Sequence, residues 1–398
     1  MKITSIDVIT MPIEGSGERP IICRINTDEG IFGYGEAGVA IGRGSPAAFA
    51  MIKDLAPLVL GMDPRHNEVI WEKLYKQSFW AQGNGAIMMA AISAIDTAIW
   101  DIKAKAADLP LYALLGGKHR DKLWAYASQI QFGWDMGNAS SPGQSPSGDP
   151  AFYRDSAMRA INQGYNAIKT NFIRNDRQGK GLRSQDVTGH LSKEMMNLAR
   201  ERLEATREAV GPNVEIILEN HAMTDASSAI QFAKMAREFD IMFFEEPCTP
   251  LNANVMRKIA DNTDIPLATG ERTFTRWGFL PFLENQSLSV IQPDIGNCGG
   301  ITECKKICDM AHVYDVGVQT HVCSSPISVA VSLHLEAAIP NFVIHEHHVT
   351  NTRPGNIALC KYNYQPVDGY IEIPEIPGIG QELSDFALSK ATIETISL

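Results

Sequence analysis

The most informative feature of the sequence is a series of acidic and histidine residues at nearly constant spacing. Its members are Glu219, Glu245, Glu271, Asp294, His321 and Glu346. They are separated in turn by 26, 26, 23, 27 and 25 residues, which is the length of one strand, one helix and the connecting loops. Residues that end successive strands of a parallel barrel meet at its carboxyl face. The spacing therefore predicts one shared site.

Three of these carboxylates have the chemistry of a site for a hard metal ion. Glu219, Glu245 and Glu271 would repel one another at one rim and cannot all stay ionised without a cation. Oxygen ligands without Cys or His favour Mg²⁺, or Mn²⁺, over zinc. Such an ion can bind a substrate carboxylate and stabilise the negative charge that appears when the α-proton leaves. We therefore predict an acidic substrate.

His321, a member of the series, and His221, beside its first member, supply groups for proton transfer. Asp294 lies one predicted strand before His321, where it can hold Nδ1 and leave Nε2 as a base. His221 lies two residues after Glu219, and strand alternation points both side chains to the same side. Two acid–base groups beside a bound carboxylate suit β-elimination, in which one removes the α-proton and the other protonates the departing hydroxyl.

The elements that position these residues follow two patterns. Residues 1–120 contain strands, a hairpin and helices, which is typical of an α+β domain. After them, short apolar runs alternate with amphipathic helices, which predicts parallel βα units and a TIM-type barrel. The eight predicted barrel strands are residues 123–131, 166–171, 214–219, 241–245, 266–269, 288–292, 317–320 and 341–344.

The chain of 398 residues divides into three predicted parts. A capping domain spans residues 1–122, a catalytic barrel spans 123–350, and a C-terminal segment over 351–398 packs back on the cap. Two polar stretches, residues 136–150 and 174–190, follow predicted strands and are expected to be loops at the carboxyl face of the barrel.

Composition excludes several classes of protein. A net charge of −11 without basic clusters argues against a nucleic-acid partner. Seven cysteines in no CxxC arrangement favour reduced thiols over a disulfide framework. The apolar residues 86–100 are interrupted by Asp96, so we predict a buried helix and no membrane partner. We expect a cytoplasmic homo-oligomer, without a signal peptide, that acts on a small molecule.

Several motifs resemble those of the enolase superfamily, in its mandelate racemase branch and the sugar-acid dehydratases of the galactonate dehydratase type. The resemblance covers nearly the whole chain. It begins with the helix at residues 90–103 and Leu114-Leu115-Gly116-Gly117, similar to the end of that family's capping domain. The barrel motifs are Glu245-Glu246-Pro247, Gly270-Glu271-Arg272, Gln292-Pro293-Asp294 and Gly299-Gly300-Ile301-Thr302-Glu303.

The resemblance implies an α/β fold, a modified (β/α)7β TIM barrel with an N-terminal α+β capping domain. It implies that Mg²⁺ is bound by Glu219, Glu245 and Glu271. The acid–base residues that it implies are His321 with Asp294 as the basic dyad, His221 as the second group, and Glu346 as the acid that hydrogen-bonds the enediolate. The substrate-binding residues are then Lys169 for the carboxylate, Asn171 for a hydroxyl, and Arg272.

Two departures from the family pattern matter. The first metal ligand is usually Asp, whereas Glu219 is one methylene longer. Racemase members carry Lys-x-Lys on the second strand, whereas this chain has Lys169-Thr170-Asn171, so the second lysine base is lost and simple racemisation is disfavoured. The cluster His345-Glu346-His347-His348 lacks the i, i+4 histidine pair of a helical zinc site.

These features together predict a Mg²⁺-dependent dehydratase that converts an aldonate or aldarate into its 2-keto-3-deoxy acid. Residues 14–20 of the cap are expected to close the mouth and select the substrate. Two alternatives stay open: an epimerase, racemase or cycloisomerase that uses the same enediolate, and a non-catalytic sugar-acid binder.

Overall fold

The computed structural model describes residues 1–13, 17–136 and 147–397. Two of the features predicted above are therefore only partly described. Residues 14–16, in the predicted substrate-selecting segment, lie outside the described residues, as do residues 137–146 of one predicted loop.

The amino-terminal region is built on an antiparallel sheet. The strands β1 (Ile3–Thr10), β2 (Ile21–Thr27) and β3 (Phe32–Ala37) form a meander whose apolar side chains are buried. The last strand of the chain, Thr392–Ser397, pairs antiparallel with β1 and completes a four-stranded sheet. The C-terminal end of the chain therefore lies against this sheet.

Four helices follow the meander, and the third one is almost entirely buried. They are α1 (Ser45–Leu55), α2 (Asn67–Gln77), α3 (Ala86–Ala106) and α4 (Leu111–Leu114). Helix α3 packs so closely on β3 that a Cβ atom at Gly35 would lie 2.1 Å from the Ala94 carbonyl oxygen, which is why a glycine is required there. Along the described part of the chain, no helix is both long and apolar enough to cross a membrane.

Eight parallel strands alternate with seven helices to form the barrel. The strands are β4 (Lys122–Ser128), β5 (Ala167–Thr170), β6 (Glu215–Glu219), β7 (Ile241–Glu245), β8 (Leu267–Thr269), β9 (Val290–Ile291), β10 (Gly317–Val318) and β11 (His345–His348). The helices are α5 (Pro150–Asn162), α6 (Lys193–Val210), α7 (Ala226–Ala236), α8 (Ala253–Ala260), α9 (Thr275–Glu284), α10 (Gly300–Val313) and α11 (Pro326–Ala337).

The strands pair in sequence order from β4 to β10, and β11 pairs with β4. Backbone hydrogen bonds from Val318 to Asn341 and from Val343 to Val318 join the remaining two edges. The predicted (β/α)7β barrel with an α+β capping domain is confirmed. All seven cysteines are unpaired thiols.

The barrel interior has an apolar layer below a polar one. Tyr126, Ala167, Ile217, Phe243, Val290 and Ile344 belong to one buried cluster. The residue two positions after each of these is Ser128, Lys169, Glu219, Glu245, Gln292 or Glu346. Because alternate residues of a strand share a face, the polar set lies above the apolar set, towards the carboxyl mouth.

The eighth strand lies later than the sequence predicts. The sequence predicts residues 341–344. Phe342 in this segment pairs with Val318 of β10, and the regular strand β11 follows as His345–His348, which pair with residues 125–128 of β4. The polar run is buried because its side chains find partners inside the fold: His345 contacts Glu336, and Glu346 contacts Lys169. The predicted segment therefore pairs with β10, and the tertiary contacts of the polar run extend the strand beyond it.

After β11 the chain returns along the barrel before it reaches the cap. Helix α12 (Pro354–Ile357) is followed by β12 (Tyr370–Glu372), which pairs antiparallel with β4. Helix α13 (Asp385–Lys390) and the last strand, β13, then lead to the cap sheet. The boundaries at residues 122 and 350 stay predictions.

Candidate active site

The three carboxylates predicted as metal ligands meet at the mouth of the barrel. Glu219 and Glu245 are the last residues of β6 and β7, and Glu271 lies two residues beyond β8. One ligand atom from each lies within 4.8 Å of the others. Glu219 and Glu245 are buried, so their charges are poorly screened by water. This cluster could hold a divalent cation.

A buried lysine lies beneath the carboxylates. Lys169 Nζ is 2.7 Å from Glu245 Oε1, 2.8 Å from Glu346 Oε1 and 3.5 Å from Glu219 Oε2. Burial favours the neutral amine, but the three carboxylates outweigh it and raise the pKa of Lys169 well above its usual value. One ammonium group cannot neutralise three glutamates and Glu271 as well, so a metal cation would complete the charge balance.

His321 and Asp294 form the predicted pair. His321 Nδ1 is 2.8 Å from Asp294 Oδ2, and His321 Nε2 is 3.3 Å from Glu271 Oε2. Burial opposes the charged imidazole, but Glu271 and Asp294 raise the pKa of His321 to about 10. The backbone N–H of Gly296 donates to Asp294 Oδ1 at 2.7 Å and so fixes the position of the carboxylate. Nε2 is thus directed at the carboxylate cluster.

His221 lies on the other side of the cluster. Its Nε2 is 2.9 Å from Glu219 Oε1, and its Nδ1 is 3.4 Å from Asn171 Nδ2. The side chain is 28% exposed, so it can be reached from the mouth. His221 and Ala222 both have positive φ values, 49° and 54°. Such strain in residues other than glycine is often found at functional sites.

Glu346 is held by three donors. Its Oε1 accepts a hydrogen bond from Ser128 Oγ at 2.6 Å and contacts Lys169, and its Oε2 accepts from the Val322 N–H at 3.0 Å. Burial opposes ionisation, but Lys169 and His321 lower the pKa of Glu346 to about 2. Glu346 is therefore a carboxylate with both oxygens engaged.

Arg272 is set apart from the other predicted residues. Its guanidinium contacts the carboxylates of Glu246 and Glu271, and its side chain is 45% exposed. The structure thus brings nine of the ten predicted residues together around the mouth and places Arg272 at the edge, next to one metal-ligand candidate.

Sequence reasoning missed two glutamines that contact the carboxylates. Gln292 Nε2 donates to Glu245 Oε2 at 2.5 Å. It lies two residues after Val290, so strand alternation could have revealed it. Gln129 Nε2 donates to Glu219 Oε2 at 2.5 Å and lies 3.3 Å from His221 Nε2. The predicted strand ran through this residue, but β4 ends before it and Gln129 has a φ of 70°, which no sequence pattern indicated.

The cap contributes a buried glutamate next to the loop that carries His321. The Glu36 carboxylate accepts hydrogen bonds from Ser325 N, Ser325 Oγ and Ser328 Oγ at the start of α11. Burial raises the pKa of Glu36 to about 7, although these serines act in the opposite direction. Glu36 thus ties the cap to the barrel within a few residues of the candidate base.

We expect Glu36→Gln to change how stability depends on pH. Because the folded-state pKa of Glu36 is raised above 4.5, the stability it contributes is fully present below pH ~4.5 and is lost as the pH rises through about 7. The glutamine side chain does not ionise, so the stability of the variant lacks this dependence on pH. Urea unfolding from pH 5 to 8 should therefore show wild type losing stability relative to Glu36→Gln; a constant difference would contradict the assignment.

A second cap contact is made with the loop that follows Asp294. Gly38 donates from its N–H to the Gly296 carbonyl at 2.9 Å, and Asn297 Nδ2 donates to the Gly38 carbonyl at 2.8 Å. A Cβ atom at Gly38 would lie 2.9 Å from Asp294 Oδ1. Only glycine therefore fits at this contact between the cap and the loop that carries Asp294.

Gly38→Ala is expected to displace Asp294 and lower turnover about tenfold, since small displacements of catalytic groups reduce rates strongly. The measurement is kcat, with the thermal midpoint recorded alongside. Gly83→Ala is the control, because a Cβ there meets nothing within 4 Å and its φ is ordinary. Equal kcat values for the two variants would show that the cap does not position the dyad.

Comparisons with known proteins agree with this architecture. Residues 8–116 match the family described as "Mandelate racemase / muconate lactonizing enzyme, N-terminal domain", and residues 153–387 match "Enolase C-terminal domain-like". A D-galactonate dehydratase from Pectobacterium atrosepticum is 33% identical over 97% of this chain and 93% of that protein. A second, from Ralstonia nicotianae, is 32% identical over the same shares.

A solved structure extends the agreement to three dimensions. A member of the enolase superfamily from Salmonella Typhimurium is 52% identical, covers 100% of both chains and has a TM-score of 0.96. Both domains and their relative arrangement are therefore shared along the full length. The chain belongs to the enolase superfamily, in its mandelate racemase and muconate lactonizing enzyme branch.

Proposed function

We propose that this chain is a Mg²⁺-dependent hydro-lyase that dehydrates a sugar acid to its 2-keto-3-deoxy acid. The observation that carries the proposal is the position of two histidines on opposite sides of the carboxylate cluster. His321 Nε2 contacts Glu271, and His221 Nε2 contacts Glu219. One acid–base group on each side of a bound acid is the arrangement that β-elimination needs. The curated relatives are named for D-galactonate, which makes it the first candidate substrate.

The donor set fits Mg²⁺. Glu219, Glu245 and Glu271 offer hard oxygen atoms, with neither Cys nor His in the cluster, and their ligand atoms lie within 4.8 Å of one another. When bound, the ion would supply the positive charge that attracts the substrate carboxylate and stabilises the charge developing on it. Neutralisation of Glu271 would also return His321 from its raised pKa towards the neutral base.

The residues of this chain then divide the proton transfers. His321 Nε2 removes the proton from C2, while Asp294 holds Nδ1 and stabilises the imidazolium that forms. The electron pair of the C2–H bond becomes the C2–C3 double bond of an enol as the 3-hydroxyl departs. His221 donates the proton that releases this hydroxyl as water. The enol then tautomerises to the ketone, with its hydroxyl proton replaced by one at C3. His321 and His221 return to their starting protonation states by proton exchange with water.

Three further roles are proposed for residues that bind or orient. Asn171 is placed beside His221 to bind a hydroxyl of the substrate. Lys169 can bind the substrate carboxylate only by exchanging one of its glutamate partners. The predicted hydrogen bond from Glu346 to the enediolate stays a prediction, because its contacts favour the ionised acid; they support a role in holding Lys169. Arg272, at the rim, stays a proposed substrate-binding residue.

The test is a panel of aldonates and aldarates, D-galactonate among them, incubated with Mg²⁺. Dehydration forms an α-keto acid, which semicarbazide detects, whereas epimerisation alters stereochemistry only. Exchange of the C2 proton with solvent deuterium would reveal either reaction. An acid that exchanges or epimerises without a keto product would replace the proposed elimination, and a panel without exchange or turnover would favour a non-catalytic binder.

A further inference from the structure

His348, the last residue of β11, points into the barrel mouth and has no role in the reaction described above. Residues 346 and 348 share a face of the strand, whereas His347 between them contacts Tyr165 outside the barrel through its Nδ1 at 2.6 Å. In the register, His348 lies opposite Ser128, whose hydroxyl donates to Glu346. The imidazole of His348 therefore lies one layer above Glu346.

The surroundings of His348 are the candidate active site. Glu346, Lys169, His321 and Glu219 all act on its pKa, which burial lowers to about 3. The residue is 6% exposed, so its ring is nearly enclosed by the mouth. His348 thus lies within electrostatic range of the base and of Glu219, one of the metal-ligand candidates.

Hydrogen bonds define the tautomer of His348. The backbone N–H of Thr350 donates to His348 Nδ1 at 3.2 Å, and Thr350 Oγ1 lies 3.0 Å from the same atom. A nitrogen that accepts an N–H carries a lone pair, so in the neutral ring the proton lies on Nε2. His348 is consequently a neutral imidazole with one N–H donor directed away from Thr350.

That donor has no partner among the described residues. The Nε2 atoms of His345 and His347 also lack partners, but they are buried away from solvent. Nε2 of His348 is not buried in this way. An N–H group that faces an enclosed mouth is satisfied by water or by a bound ligand. We propose, on the basis of the dehydratase function, that His348 binds a hydroxyl group of the sugar acid through Nε2–H and thereby helps to select the substrate.

The chemistry of the donor favours a hydroxyl over a second carboxylate. Carboxylates are recognised best by charged donors such as arginine or lysine. His348 is neutral, and the carboxylate of Glu346 lies one layer below it, which disfavours an additional anion at this position. A sugar hydroxyl can accept the hydrogen bond without bringing a charge into the buried site.

Two substitutions at His348 distinguish loss of the Nε2–H donor from disturbance of the strand. In His348→Asn the amide can occupy the position of Nδ1 and accept from the Thr350 N–H, but nothing replaces Nε2–H. In His348→Gln the longer side chain places an amide nitrogen near the former Nε2. His347→Asn, one residue away on the outer face, controls for disturbance of β11.

We expect His348→Asn to raise KM about tenfold on the best substrate, with kcat changed much less, and His348→Gln to recover most of the loss. The two proteins should also be compared on analogues of that substrate that each lack one hydroxyl. Wild type and His348→Asn should have the same KM on one of them, because that analogue lacks the hydroxyl that Nε2 binds. His347→Asn should lower the thermal midpoint without raising KM.

The role is overturned if kcat/KM of His348→Asn stays within about twofold of the wild-type value. It is also overturned if His348→Asn loses the same factor in kcat/KM on every deoxy analogue and His348→Gln does not recover that loss. Failure of the proposed function looks different, because wild type itself would then turn over no acid. In that case calorimetric binding of the same acids to wild type and His348→Asn decides the role, with equal affinities counting against it.

Discussion

His321→Asn is expected to lower kcat by about 10²- to 10⁴-fold, the range that a positioned acid or base contributes. The asparagine amide can keep a hydrogen bond to Asp294, so the change removes the base rather than its support. Exchange of the C2 proton with solvent deuterium should be lost together with formation of the keto acid. Both are measured on the best substrate from the acid panel, at saturating Mg²⁺.

His221→Asn should give a different pattern. If His221 protonates the departing hydroxyl, the variant still loses turnover but keeps exchange at C2, because His321 is intact. His312→Asn, at an exposed position of α10, is the matched control and should retain wild-type activity. Exchange that survives in His321→Asn but disappears in His221→Asn would reverse the two roles, and full activity in both variants would remove histidine catalysis altogether.

The position of the site could be predicted because it depends on local rules. A βα unit has a nearly constant length, so residues such as Glu219 and Glu245 at that spacing end adjacent strands at one level. Alternation then decides which side chain faces the interior: Ile217 lies in the apolar layer and Glu219 two residues later in the polar one. No long-range contact is needed for this conclusion.

The eighth strand illustrates what local rules cannot supply. Residues 341–344 have the more strand-like composition and pair with β10, yet the regular strand is the polar run His345–His348 that follows them. A run of three histidines and a glutamate is buried because Glu336 on the preceding helix contacts it, as do Lys169 and Tyr165 from distant parts of the chain. Such partners are known only when the fold is known.

The contacts of the cap with the dyad were unpredictable for the same reason. Glu36 lies near the end of the hairpin strand β3 and Gly38 just after it, in a stretch without an evident motif. Their partners, Ser325 and Gly296, lie more than 250 residues later. The sequence predicts a cap and a base, but the closeness that couples them depends on how the two domains dock.

Lys169→Met is expected to lower the free energy of unfolding of the metal-free protein by about 3–5 kcal/mol, the usual cost of breaking a buried ion pair from one side. Glu245 and Glu346 would each lose a contact of less than 3 Å with a fully buried ammonium group. The remaining carboxylates would then repel one another, so their folded-state pKa values would lie above the unfolded ones. The loss should therefore be largest at high pH and should shrink as acid protonates them.

Urea unfolding in EDTA, repeated with excess Mg²⁺, tests both the lysine and the metal site. The cation should restore part of the stability of Lys169→Met, because it neutralises Glu219 and Glu245, which the lost ammonium group also contacted. Lys305→Met is the matched control: Lys305 pairs with Asp309 on the surface at 2.6 Å, and such pairs contribute about 1 kcal/mol or less. Equal losses in the two variants would mean that Lys169 does not carry the charge balance of the site, whereas a loss that Mg²⁺ fails to reduce would place the cation elsewhere.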